Sequence, residues 1–305
     1  MTGITDTIRR LAEEVIEDPV KSLDTEARQS GNRRVEEIRE RINRKLSEFH
    51  DDGGYHQEVR RFLEGAQALL MSPEAKRVRS VIPVLLAEEN ELSVDACLWY
   101  GVIIELLHFT SLVHDDVIDQ HDVRRGLPTL NMQFSNTSAV LTGDYLIYEV
   151  INRCLSIAHS LKIISLVINA AKNMVAGVVI EQSALPTDTS LESYLEMARN
   201  KTGSLFALSF GLPFVADVKL QDALECGDLF GTVFQIYDDF LDRNSDKPHE
   251  NIFNICTQEQ IEEVLAEYTG RFMEIGRRIN IESTLTFIMD FMRNHGYFNG
   301  IVNSE

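Results

Sequence analysis

The sequence predicts an all-α protein, and three observations support that prediction. Apolar residues recur about every 3.6 residues in nearly every long segment, which is the spacing of one helix face. Only seven prolines and seventeen glycines interrupt the 305 residues. No segment alternates apolar and polar residues in the manner of a half-buried strand. We therefore expect helices throughout the chain.

The first clear helix is expected over residues 32–49, where four aliphatic residues from Val35 to Leu46 form one stripe among charged side chains. The run Asp51-Asp52-Gly53-Gly54 ends it, so amphipathic helices are expected at about residues 1–50. No linker or low-complexity segment divides the chain, and a single domain over residues 1–305 is expected. Further helices are predicted at about 57–70, 78–88, 93–114, 138–158, 161–182, 191–212, 219–242 and 258–275.

Charge and cysteine content exclude several classes of protein. The formal net charge of −19 argues against nucleic acid as a partner, because binding a phosphate backbone requires a basic surface. An anionic substrate would need a local group of cations. Cys97, Cys154, Cys226 and Cys256 lack the spacing of a metal site and suggest reduced thiols. With no secretory signal and no long uninterrupted apolar run, we expect a cytoplasmic protein without a membrane span.

Two aspartate clusters carry the main chemical signal. Asp-Asp-x-x-Asp occurs at residues 115–119 and again at 238–242, each after an apolar run compatible with a helix. The first and last carboxylates of such a cluster share one helix face and repel each other. Hard divalent cations with oxygen ligands would compensate that repulsion, and Mg²⁺ also binds substrate phosphates. The matched pair therefore favours a metal-bridged diphosphate site over two solvated, aspartate-rich helix ends.

Several cations accompany the clusters. Arg124-Arg125-Gly126 follows the first cluster and offers forked donors for phosphate oxygens. Lys76 and Arg79 are three residues apart, and Lys201-Thr202 lies in a helix-compatible segment with few other cations. His108 lies two helical turns before Asp115, where the alternative is an ordinary core histidine.

In their order along the chain these motifs resemble the trans-isoprenyl diphosphate synthases, the all-α polyprenyl synthetases. The resemblance runs from about Lys76 to Cys256. It rests on Lys-x-x-Arg, then His108 ahead of the first cluster, then Arg-Arg-Gly, Gly143-Asp144, Lys201-Thr202, and Phe234-Gln235 ahead of the second cluster. It implies an antiparallel helical bundle around a central cavity, usually dimeric, which would be a homodimer here unless a second protein completes a heteromer.

The resemblance also implies a reaction and residue roles. The enzyme would be a prenyltransferase that condenses isopentenyl diphosphate with an allylic diphosphate to a linear all-trans product. About three Mg²⁺ ions would be held by Asp115, Asp116, Asp119, Asp238, Asp239 and Asp242. The allylic diphosphate and reacting end would be contacted by Arg124, Lys201, Lys247, Thr202 and Gln235. Isopentenyl diphosphate would be bound by Lys76, Arg79, His108 and Arg125.

The sequence departs from the family pattern in three places. Ala75 stands where the family has a glycine, and Ser80 where it has a proline. The segment after the second cluster is shortened and retains only Lys247 of the usual loop. Two alternatives follow: a subunit that has lost turnover, or a terpene cyclase, although a cyclase would not need the second diphosphate site.

Product length should depend on the helix before the first cluster. The growing chain would run along that helix away from Asp115 and would first meet residues four and five positions earlier, Ser111 and Thr110. Both are small, with Leu106 and Ile103 one and two turns deeper. We therefore expect products of geranylgeranyl length or longer.

Overall fold

The computed structural model describes residues 25–48, 56–183, 190–242 and 251–292. Lys247 and the side chain of Asp242 lie outside the described part. Within these residues the first seven helices are α1 (Thr25–Ser47), α2 (Gln57–Leu70), α3 (Val78–Glu89), α4 (Val94–Ile118), α5 (Leu130–Gln133), α6 (Asn136–Leu155) and α7 (Ser160–Ser183). The rest are α8 (Leu191–Ala198), α9 (Ser204–Gly211), α10 (Leu220–Asp242), α11 (Ile252–Ile255), α12 (Gln258–Ile279) and α13 (Glu282–Met292).

The all-α prediction is confirmed, with one small addition. Strands β1 (Val123–Arg124) and β2 (Leu127–Pro128) form an antiparallel hairpin. At its turn Arg125 and Gly126 have φ of 52° and 72°, as in the two-residue turns that favour hairpins. The sequence analysis missed this hairpin because a two-residue strand has no alternation to detect.

Two predicted helix boundaries are wrong in ways that affect the site. The helix predicted to end at residue 114 continues to Ile118, so Asp115 and Asp116 lie within α4 and Asp119 caps it. The helix predicted over 191–212 is interrupted by a π-helical segment, Arg199–Gly203, between α8 and α9. Segments of this kind widen a helix locally and are frequent at functional sites.

The core consists of two apolar clusters separated by α3 and α9. On α9, Leu205 and Leu208 face the cluster built around α4, α6 and α7. Phe206 and Phe210 on the same helix face the cluster formed with α8, α10 and α12. Both helices are consequently apolar on opposite faces, which fixes their position between the two halves of the bundle.

Two helices, α4 and α7, are long and apolar enough to span a membrane by length and composition. In α4, 72% of the most apolar window is buried inside the protein, as for a core helix, whereas in α7 the share is 28%. One or two such helices are weak evidence for a membrane span.

Candidate active site

The first aspartate cluster lies at the C-terminal end of the buried helix α4. Asp116 is 3% exposed, Asp115 is half-buried, and Asp119 is exposed at the cap. Burial raises the pKa of Asp115 to about 6, against the opposing effect of the nearby Lys201 ammonium. Asp115 and Asp119 therefore form the accessible part of this cluster.

Asp116 is engaged by the hairpin that follows. Arg124 donates from Nε to Asp116 Oδ1 at 2.7 Å, and His121 Nδ1 lies 3.4 Å from the same oxygen. Because the hairpin turn begins at Arg125, the side chains of these two neighbouring arginines point to different parts of the site. Arg124 faces the first cluster, while Arg125 lines a pocket described below.

The π-helical segment presents Lys201 to the first cluster. Lys201 Nζ donates to both carboxylate oxygens of Glu181 on α7, at 2.7 and 2.5 Å. Burial alone would lower the pKa of Lys201, but Glu181, Asp115 and Asp119 raise it above its usual value. A Cβ atom on Gly177 would lie 2.4 Å from the backbone nitrogen of Lys201, so α7 needs a glycine at this crossing. Sequence analysis missed Glu181, which pairs with a residue twenty positions away.

The next residue, Thr202, faces the second cluster. Its hydroxyl donates to Gln235 Oε1 at 2.6 Å, and Gln235 Nε2 donates to Asp239 Oδ1 at 2.8 Å. Adjacent residues of one π-helical segment thus approach the two aspartate clusters, Lys201 the first and Thr202 the second. The clusters, 123 residues apart in sequence, converge on this segment.

Asp239 is buried at 4% exposure and is surrounded by donors, whereas Asp238 is half-buried. The Tyr194 hydroxyl and the backbone N–H of Ile252 donate to Asp239 Oδ2 at 2.8 and 3.0 Å. Burial, with the charge of Asp239, raises the pKa of Tyr194 well above its usual value, so the phenol remains a donor. Neither Tyr194 nor Ile252 was predicted from the sequence.

A polar pocket of about 200 Å³ brings together all four residues predicted to bind isopentenyl diphosphate. Burial, followed by the charge of Arg79, lowers the pKa of His108 to about 3, so this imidazole is neutral near pH 7. Burial also lowers the pKa of Lys76, partly offset by Asp238. The pocket is lined by Lys76, Arg79, His108 and Arg125, together with Glu74, Arg77, Val78, Glu105 and Phe234.

Aromatic rings and a buried ion pair hold the pocket wall. The Arg79 guanidinium lies over the rings of Phe206 and Phe234, at 4.5 and 5.4 Å from their centroids. Arg77, at φ of 57° before α3, donates to Glu105 Oε1 at 2.5 Å and to Asn43 Oδ1 at 3.0 Å. It therefore fixes the backbone between Lys76 and Arg79. Arg77 and Glu105 were not predicted from the sequence, and Phe234 was named only as part of the motif before the second cluster.

Gly143-Asp144 lies on α6 beside the first cluster. A Cβ atom on Gly143 would come within 2.2 Å of His114 Nε2, so a glycine is needed where α6 crosses α4. Asp144 Oδ1 lies 3.7 Å from the same His114 nitrogen. The motif thus supports the helix that carries Asp115.

The residues predicted to control product length lie on α4. Ile103 and Leu106 are fully buried in the core cluster that includes Phe109. Ser111 donates to the carbonyl of His108 at 2.8 Å. Thr110 is buried, and its hydroxyl has no hydrogen-bond partner in the described part of the chain. Their proposed contact with product stays a prediction.

The carboxylate ligands at the two clusters are of the type that suits magnesium. Within the described residues no group of three or more His, Cys, Asp or Glu side chains could hold a metal ion alone. Hard carboxylate oxygens at the ends of α4 and α10 are nevertheless the ligand type that Mg²⁺ prefers. Mg²⁺ usually takes one or two protein carboxylates and completes its shell with water and substrate phosphate. The arrangement fits that mode of binding.

Comparison with known proteins identifies the family. The polyprenyl synthetase model matches residues 60–252, and the chain therefore belongs to the polyprenyl synthetase family. It is 35% identical over 191 residues to a prenyl transferase of Synechocystis sp., an alignment covering 60% of this chain and 59% of that protein. It is 32% identical over 186 residues to component 2 of the Geobacillus stearothermophilus heptaprenyl diphosphate synthase, covering 57% and 55% respectively.

The chain thus spans less than two thirds of the length of these curated relatives. Among solved structures, a geranyltransferase from Legionella pneumophila matches 90% of this chain and 99% of its own, with a TM-score of 0.76 at 22% identity. That likeness confirms the predicted helical fold of the isoprenoid synthases.

Proposed function

We propose that this protein is a Mg²⁺-dependent prenyltransferase that condenses isopentenyl diphosphate with an allylic diphosphate to give a linear all-trans prenyl diphosphate. The observation that carries the proposal is the polar pocket, where Lys76, Arg79, His108 and Arg125 meet next to the second cluster. Three cations and a neutral imidazole suit one diphosphate. On a chain of net charge −19, such a group of cations indicates a dedicated anion site.

The allylic diphosphate would bind at the π-helical segment, on the other side of the site. Departure of its diphosphate leaves an allylic cation and develops negative charge on the leaving oxygens. Lys201 and Arg124 would stabilise that charge where it forms. Attack by the double bond of isopentenyl diphosphate then forms the new carbon–carbon bond, and the cation that results loses a proton to the departed diphosphate. The apolar side chains of α4 would keep water from the cation.

Magnesium would be held by Asp115 and Asp119 on one side and by Asp238 on the other, with the Asp242 side chain outside the described residues. When bound, Mg²⁺ neutralises the diphosphate and makes it a better leaving group. The family resemblance suggests about three ions per site.

Arg125→Ala tests the pocket assignment. Losing one charge-assisted contact of about 1.5–3 kcal/mol should raise KM for isopentenyl diphosphate about tenfold to a hundredfold, with a smaller effect on KM for the allylic primer. Initial rates with radiolabelled isopentenyl diphosphate, Mg²⁺ and a series of primers measure both constants. Arg271→Ala is the matched control, because Arg271 pairs with Glu225 on the exposed surface. Equal changes in both KM values would show that the pocket was assigned wrongly.

The same assay separates the alternative functions. Extension of the primer supports the proposal, and a cyclic hydrocarbon would indicate a terpene cyclase. No product from the folded protein would favour a subunit that has lost turnover. Restoration of activity by a second protein would identify a heteromeric synthase. This outcome is worth testing because the Geobacillus relative is named as a component of its synthase.

Product length is proposed to be geranylgeranyl or longer. Thr110 and Ser111 leave room near Asp115, and Leu106 or Ile103 would then limit growth. Thr110→Phe should place a ring in that path and shorten the main product by at least one five-carbon unit. Thr110→Val, which keeps the shape and removes the buried hydroxyl, is the control and should leave product length unchanged. Chromatography of the dephosphorylated products provides the measurement, and an unchanged length in Thr110→Phe would contradict the proposed path.

A second copy of the chain is proposed to cover α6 and α7. Each helix exposes large apolar residues at intervals of seven, a spacing that forms a continuous seam along a helix. The two helices contact each other, and we infer that their seams lie side by side. The residues are Leu141, Tyr148 and Leu155 on α6 and Leu161, Ile168 and Val175 on α7. Sedimentation velocity should give a dimer; a monomer that dimerises only with another protein would indicate a heteromer.

We also propose a cytoplasmic location, because the four cysteines are unpaired, as in proteins of a reducing compartment, and the proposed substrates are water-soluble diphosphates. Binding of the purified protein to lipid vesicles would contradict it.

A further inference from the structure

Asp239, the second aspartate of the second cluster, is buried and hydrogen-bonded, unlike an exposed metal ligand. Asp239 is 4% exposed and accepts hydrogen bonds from the Tyr194 hydroxyl, the Ile252 N–H and the Gln235 side chain, all between 2.8 and 3.0 Å. An ionised carboxylate has about four lone-pair sites. Three of them are therefore used by the protein itself.

The donors come from three separate elements. Tyr194 belongs to α8, Gln235 to α10, and Ile252 begins α11. Asp239 also offers its backbone carbonyl, which accepts from Asn251 Nδ2 at 2.6 Å near the end of α10, where helical carbonyls lack partners within the helix. Asn251 is fully buried, and its Oδ1 accepts from the Phe253 N–H at 3.0 Å. One residue thus joins three elements.

These contacts also orient the reacting side of the site. With its NH₂ group directed to Asp239, Gln235 presents Oε1 to the Thr202 hydroxyl at 2.6 Å. Thr202 follows Lys201 directly in the π-helical segment. Through Gln235, the carboxylate of Asp239 is therefore linked by hydrogen bonds to Thr202, the neighbour of Lys201.

We propose that Asp239 is a positioning residue rather than a metal ligand, and that Tyr194, Asn251 and Gln235 are its partners. The catalytic part of this inference rests on the proposed function: Asp238 would bind the metal, while Asp239 holds α10 against α8 and α11. Asn251 follows the shortened segment after the second cluster, and it donates to the Asp239 carbonyl. Only residues 243–250 therefore separate Asp242 from a partner of Asp239. Asn251 can both cap α11 and donate to Asp239, whereas an aspartate there could only accept.

The test measures stability of the metal-free full-length protein. In EDTA, Asp239→Asn and Tyr194→Phe should each lower the melting temperature by about 3–10 °C, because each disrupts a buried hydrogen bond to a charged group. The double variant should lower it by less than the sum, since both changes remove the same contact. Asp238→Asn is the matched control and should lower it less than Asp239→Asn. Additive effects of the two changes would overturn the pairing.

A second measurement adds Mg²⁺ and inorganic pyrophosphate. The wild-type melting temperature should rise, and Tyr194→Phe should retain most of that rise while Asp238→Asn loses it. An Asp239→Asn variant with wild-type stability in EDTA but no rise with Mg²⁺ and pyrophosphate would make Asp239 a metal ligand and refute the proposal.

Asn251→Ser provides a milder variant should Asp239→Asn fail to fold. A serine hydroxyl can still cap α11, but the side chain lacks the NH₂ group that donates to the Asp239 carbonyl, so a smaller drop in EDTA is expected. No drop at all would contradict the role given to Asn251. Because these measurements use no prenyl substrate, their outcome does not depend on whether the proposed function is correct. Absence of turnover in the wild type would refute the prenyltransferase assignment and leave the positioning result intact.

Discussion

Asp115→Ala and Asp238→Ala are each expected to lower kcat by about a thousandfold or more while the protein remains folded. The two carboxylates lie on the accessible side of the two clusters, where the diphosphate-bound metals would be held. Removing Asp115 should not cost stability in the absence of metal, because burial and the charges of Asp119 and Glu181 already disfavour its ionised form. The effect should therefore appear in turnover and not in the melting temperature.

The measurement combines steady-state kinetics at saturating Mg²⁺ with thermal unfolding in EDTA. Asp95→Ala is the control, since the Asp95 side chain is 93% exposed at the far end of the same helix. Rates near wild type for Asp115→Ala or Asp238→Ala would end the metal-site assignment. Loss of activity together with a large drop in melting temperature would instead indicate a structural role.

The sequence predicts which residues lie together at this candidate site better than it distinguishes their roles. Asp115 and Asp116 are neighbours in one motif and cannot be separated by spacing. The helix geometry and the hairpin separate them, because Asp116 is turned toward Arg124 while Asp115 remains accessible. Asp238 and Asp239 differ in the same way, since Asp238 is half-buried and Asp239 is buried. In both pairs, the burial of one aspartate depends on elements that are distant in the sequence.

The residues that sequence analysis missed share one property. Tyr194 pairs with Asp239 across 45 positions, and Arg77 pairs with Glu105 across 28. Neither contact has a local spacing that a periodic pattern could reveal. By contrast, His108 and Arg125, the proposed binding residues, could be predicted to lie near the site because they accompany the first cluster in sequence.

The departure at Ser80 acquires a physical explanation from the structure. The Ser80 hydroxyl donates to Glu105, the same carboxylate that receives Arg77. A Cβ atom on Gly101 would lie 2.4 Å from the Ser80 carbonyl, so α3 and α4 are in close contact here. A proline could not donate this hydrogen bond. The substitution therefore adds a contact to the ion pair that supports the pocket wall.

Glu105→Gln is expected to lower the free energy of unfolding by about 3–5 kcal/mol, the usual cost of removing one partner from a buried ion pair. The side chains of Arg77 and Glu105 are 1% and 2% exposed, so the arginine would be left charged and buried without a counterion. Glu225→Gln, which breaks the exposed pair with Arg271, is the control and should change stability by less than about 1 kcal/mol. Urea unfolding at pH 7 gives both values.

The stabilisation provided by the Arg77–Glu105 ion pair should also depend on pH. Burial alone would raise the pKa of Glu105, but Arg77, with His108 and Ser80, lowers it from 4.5 to about 2. Because the folded pKa lies below the unfolded one, the unfolded chain binds the proton first as pH falls. The stabilisation is therefore present above about pH 4.5 and is lost between pH 4.5 and 2. The difference in unfolding free energy between wild type and Glu105→Gln should shrink over that range. A difference independent of pH would show that the ionised form of Glu105 does not stabilise this fold more than the protonated form.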